Sequence, residues 1–195
     1  DEDYYLRADG LELTIEARGG SIGAAVNDNS GVSHTDNDGV RIKNVDAADT
    51  ASKFTLKAKD NVYVKGLTSS STGEAAQGVL NLEVDPVTTG VIPANIGIVV
   101  DGNLNLLDAL NSSDTASIYT TTDLTLDNNS KNISSNAVYL GSLGDVVVNG
   151  TNAINGTNSV TVHAGENVQL KAGTLSSGAI NLYSDNGDID EASGF

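Results

Sequence analysis

Asp145 to Leu170 reads DVVVNGTNAINGTNSVTVHAGENVQL. Val146 and Val148 flank Val147, and about one turn later Val168 and Leu170 flank Gln169. Successive side chains of a strand point to opposite sides, so two apolar residues around one variable residue mark a strand with one buried face. The same unit recurs along the chain. Apolar pairs fall at Val62/Val64, Leu82/Val84, Leu104/Leu106, Leu124/Leu126, Val146/Val148 and Val168/Leu170, at spacings of 20, 22, 20, 22 and 22 residues. A second column runs through Phe54/Leu56, Ile96/Ile98, Ile118, Val138/Leu140, Val160/Val162 and Ile180/Leu182. It keeps the same period if Ala76 fills the missing place. A weaker third column falls at Ile92, Ile133, Ile154 and Leu175.

Two registers sharing one period over more than a hundred residues predict an all-β chain coiled as a parallel β-solenoid. The expected rung holds about 21 residues and three short strands, so residues 1–195 make a single domain of roughly nine rungs. Irregular loops are expected around 27–38 and 66–94, where Asn, Asp, Ser, Thr, Gly and two prolines interrupt the alternation. Asp101-Gly102, Leu143-Gly144-Asp145 and Ala164-Gly165-Glu166 read as tight corners in which glycine takes positive φ. No helix is expected; Leu106 to Leu110 has the best local propensity but lacks length.

Composition fits a narrow core. Apolar residues make up 38% and aromatics 4%, with no Trp, so Val, Ile and Leu must do the packing. There is no Cys or Met, which removes disulfides, zinc–thiolate sites and thiol catalysis together. Ten basic against 26 acidic residues give a formal charge of −16, an unfavourable field for nucleic acid or an anionic membrane. The longest apolar run, Val91 to Val100, contains Pro93 and Asn95 and is too short to span a bilayer, so membrane insertion is not expected.

The strings LELTIEARGGSIG, FTLKAKDNVYVKG, DLTLDNNS and HAGENVQLKAGTLSSGAINLYSDNGDI, with the tail DEASGF, resemble the filamentous haemagglutinin-type repeats of large secreted bacterial adhesins. Leu13, Ile15, Ala17, Gly20, Ser21, Ile22 and Gly23 match the repeated phrase of that family, and Val168, Leu170, Ala172 and Gly173 match it again. The resemblance covers most of residues 10–65 and 95–195. It implies a right-handed parallel β-helix forming the shaft of a secreted, cell-surface fibre. Its implied partners are further rungs, from end-to-end self-association or neighbouring repeats, and a cell-surface glycan or protein receptor.

Chemistry is sparse. His34 and His163 are the two histidines, and His163 has no partner at a recognisable spacing. His34, Asp36, Asp38 and Gly39 fit a calcium-loop pattern except at its first ligand and its distal Glu, so Asp36 and Asp38 are weak calcium candidates beside a plain turn. Asp185 and Asp188, with Asn186, Gly187 and Asp190, form the other acidic cluster, a second weak calcium candidate or a corner. No acid, base and electrophile converge, so no catalytic residue and no cofactor is expected. The alternative is an extracellular β-helix that binds or cleaves polysaccharide, with or without calcium. Tyr119 and Tyr139 are expected to point outward and stack one rung apart, at about 4.8 Å, as a stabilising ladder or a sugar platform. DEDYYL and GDIDEASGF read as cut points or junctions in a longer filament.

Overall fold

The computed structural model describes residues 5–23, 39–68, 78–127, 131–149 and 153–191. Every regular element among them is a strand. In chain order these are β1 (Glu12–Ala17), β2 (Val40–Lys43), β3 (Lys53–Ala58), β4 (Asn61–Leu67), β5 (Val79–Pro86) and β6 (Asn95–Asp101). There follow β7 (Asn103–Leu106), β8 (Leu110–Asn111), β9 (Thr115–Thr120), β10 (Leu124–Leu126), β11 (Ile133–Ser142) and β12 (Val146–Val148). The last five are β13 (Ala153–Ala164), β14 (Val168–Leu170), β15 (Thr174–Ser177), β16 (Ile180–Ser184) and β17 (Ile189–Glu191).

They stack in three parallel sheets. The first runs β1-β3-β5-β7 and the second β10-β12-β14-β17. The long sheet runs β2-β4-β6-β9-β11-β13-β15, with β16 also on β13 and β8 on β11. Partners lie one turn apart in sequence: Val146 opposes Val168 and Ile154 opposes Leu175, 22 and 21 residues on. The fold is a β-solenoid of about six turns with about 22 residues in each.

The expectation of roughly nine rungs fails because the N-terminal turns are long. Leu13 pairs with Phe54, Phe54 with Leu82, and Val62 with Ile96, steps of 41, 28 and 34 residues. Residues that a uniform period would place in rungs are spent in connections. The same insertions exchange two assignments. Val62/Val64 stacks under Ile96/Ile98 in the long sheet, while Phe54/Leu56 stacks under Leu82/Val84 in the first sheet. Ala76 lies outside the described residues. The second column agrees with the observed ladder from Asn95 onward and the first from Leu124 onward, whereas Leu104/Leu106 pairs with Leu80/Leu82 in the first sheet and not with Leu82/Val84 or Leu124/Leu126.

The core is a continuous aliphatic column. Phe54, Leu56, Val64, Leu82, Ile118, Leu140, Val146 and Val162 are all fully buried. Alternation follows from the pleat: β12 is buried, half-exposed, buried, and β4 repeats that pattern over seven residues. The third column is Leu110, Ile133, Ile154 and Leu175. Leu110 takes the place expected for Ile92, which is exposed. In β11 the third and second columns share one strand, broken by a register shift between Ser135 and Ala137. An extra residue at such a bulge turns the strand without ending it.

Corners are held by polar ladders along the axis. The Asp145 N–H donates to Asp123 Oδ1 at 2.9 Å, and the Asn167 N–H to Asp145 Oδ1 at 2.9 Å. One turn on, the Asp188 N–H donates to Asn167 Oδ1 at 3.0 Å. Each rung thereby satisfies a backbone donor of the next. Gly102 has the expected positive φ, at 120°. Gly165 is glycine for another reason: a Cβ there would lie 2.1 Å from the Leu143 carbonyl oxygen.

Candidate functional site

The outer faces of the sheets differ in kind. On the first sheet, charge alternates rung by rung. Lys53 of β3 pairs with Glu12 of β1 at 3.6 Å and with Glu83 of β5, and Lys57 pairs with Asp85 at 3.2 Å. Glu83, Asp85 and Asp108 bring carboxylate oxygens within 4.8 Å of one another, the acidic trio among the described residues. Two of its members already face lysines, so the group is compensated from within the fold.

The long sheet presents aromatics instead. Tyr119 is fixed outward because Ile118 and Thr120 on either side are buried, and Tyr139 because Val138 and Leu140 are. The register differs from the expected stack. Tyr119 opposes Gly141, and Tyr139 opposes Ser117 below and Thr161 above. The step from β9 to β11 is 22 residues, whereas the two tyrosines are 20 apart, so they are diagonal neighbours. Gly141 brings them together. A Cβ at that position would lie 2.8 Å from Tyr119 Cδ2 and 2.8 Å from Tyr139 Cε1, so both rings lean over the bare backbone. Burial and then the charge of Asp185 push the Tyr119 phenol above its ordinary value. Burial, Tyr119 and Asp185 do the same to Tyr139.

One rung on from Gly141 stands His163, and one further Tyr183. Their rings meet edge to face with centroids 5.8 Å apart. His163 Nε2 lies 2.9 Å from Asp185 Oδ1. The sequence reading found no partner for His163; the separation of one 22-residue turn, from 163 to 185, was the signal. Ser184 beside this pair donates its hydroxyl to the Glu166 carbonyl. Serine, histidine and aspartate are thus neighbours, but the hydroxyl is committed elsewhere and no nucleophile–base bond forms.

The sequence-derived calcium candidates separate. Asp185 faces His163, and Asp188 joins the corner ladder through its backbone. Asp36 and Asp38, with His34, lie outside the described residues. Comparison of the chain with family models, curated proteins and solved structures finds no match.

Proposed function

We propose that this chain is a structural, non-enzymatic shaft segment of a secreted bacterial surface fibre, lengthened by adding rungs end to end. The observation that carries this reading is the adhesive state of the last described rung. β15, β16 and β17 each pair on one side only among the described residues. Ile180 and Ile189 are each nearly half exposed, at 46% and 47%, and Ile180 lines an open hollow with Leu170, Leu175 and Leu182. A sheet edge paired on one side among the described residues, beside exposed aliphatics, is a template for another strand layer. Stacking one more rung extends the same column, so length grows without a larger core, the mechanical property a shaft needs. One-directional stacking of this kind is a heterologous contact and gives open-ended fibres. The resemblance of the repeat text to haemagglutinin-type phrases supports the secreted-fibre assignment.

Sedimentation velocity over a range of protein concentrations, with electron microscopy, tests it. The chain is expected to form concentration-dependent linear polymers. Ile180→Lys with Ile189→Lys is expected to abolish them while leaving the circular dichroism of the sheet unchanged. A chain that stays monomeric at the highest concentration, or polymers indifferent to the double substitution, refutes the proposal.

A further inference from the structure

Four consecutive rungs of the long sheet place an aromatic group in one outward strip. Tyr119 stands on β9, Tyr139 beside Gly141 on β11, His163 on β13 and Tyr183 on β16. With about 4.8 Å between rungs, three steps make the strip about 14 Å long. Gly141 contributes no side chain, and the two tyrosine rings occupy that space. Beside it runs a second outward row, Ser117, Tyr139, Thr161 and Asn181, carrying hydroxyl and amide groups at the same spacing. Asp185 closes the far end, its carboxylate exposed and bonded to His163.

We propose that this strip binds an extended polysaccharide without acidic groups, laid along the solenoid axis. The occupant follows from the chemistry of the face. Rings offered at regular intervals, with hydroxyls and amides alongside, match a polymer of ring-shaped units having apolar C–H faces and hydroxyl edges. The core of a protein partner's footprint requires an apolar patch, and the outward neighbours of these rings are Ser, Thr, Asn and Gly, with Val99 opposite Tyr119 the aliphatic exception. Charge then selects among glycans. Of the ten basic residues only Lys131 and Lys171 lie beyond Lys65 and neither is on this strip, while Lys65 and Arg41 continue its column two and three rungs past Tyr119. Lys131 is buried against Asn105, with Nζ 2.7 Å from Oδ1. The field of Asp185 reaches both Tyr119 and Tyr139. A uronate or sulfate chain on the four aromatic rungs would meet that field with no Lys or Arg among those rungs, so acidic polymers are disfavoured there.

Retention on insoluble cellulose and chitin, with heparin and alginate matrices as the acidic counterparts, tests the proposal on the intact chain. Binding is expected on at least one of the first two and on neither of the others. The chain has no Trp and three of its six Tyr are on the strip, so the change in tyrosine emission on titrating soluble fragments of the bound polymer, lost in Tyr183→Ala, follows binding there. Tyr139→Ala and Tyr183→Ala are each expected to weaken binding by about tenfold, whereas Tyr139→Phe keeps the ring and the affinity. Tyr183 is 52% exposed, so its truncation tests the strip even if Tyr139→Ala perturbs packing. No retention on cellulose or chitin, equal retention on heparin, or unchanged binding by folded Tyr183→Ala overturns the inference.

Discussion

Replacing Val146 with aspartate tests the inward and outward assignment at its centre. Val146 is wholly buried and stacks in register between Leu124 and Val168, which are buried as well. Removing its side chain from that column forfeits about 1.5–3 kcal/mol of apolar burial. A carboxyl group set there meets only aliphatics above and below. It must either stay charged without a partner or take up a proton, at a further cost of roughly 2–7 kcal/mol. The expected total, at least about 3.5 kcal/mol, is a large part of the roughly 5–15 kcal/mol that holds a domain together. Val147, one residue on, faces out between Thr125 and Gln169. Val147→Asp is expected to cost about 0.5 kcal/mol. Urea unfolding followed by circular dichroism compares the two midpoints. Equal losses would falsify the register.

Two further expectations concern backbone approach and titration. Gly165→Ala drives a methyl into the Leu143 carbonyl oxygen, a rigid backbone atom, and is expected to lower stability by about 1–3 kcal/mol in thermal or urea melts; a neutral result refutes close approach as the reason for glycine there. Tyr63, Tyr119 and Tyr139 have phenols raised above the ordinary 10.0, first by burial. The unfolded chain loses these protons before the folded one, so no stability is lost to them below about pH 10, and stability falls as pH climbs from there toward the folded values. Phenolate absorbance during alkaline titration checks the sign. Ionisation of all six tyrosines at the ordinary pH while the sheet remains folded refutes it.

How much was legible in the sequence depended on whether the period was interrupted. From Asn95 onward every turn is 20 to 23 residues, so apolar alternation alone fixed which residues face inward, as at Val146, Val148, Val168 and Leu170. Upstream, the long turns let two columns be exchanged, because Phe54/Leu56 and Val62/Val64 are chemically alike. Only ladder hydrogen bonds distinguish them. The site was less visible than the fold. That Tyr119 and Tyr139 point outward followed from buried neighbours, but their meeting over Gly141 depended on a two-residue difference in register. His163 and Asp185 are a full turn apart, and nothing local in either residue's surroundings names the other. Hydrophobic period is a property of each strand by itself and can be read from a line of text. Which outward side chains touch is set by how successive turns stack, and turn length is decided by corners and insertions that carry no apolar signal.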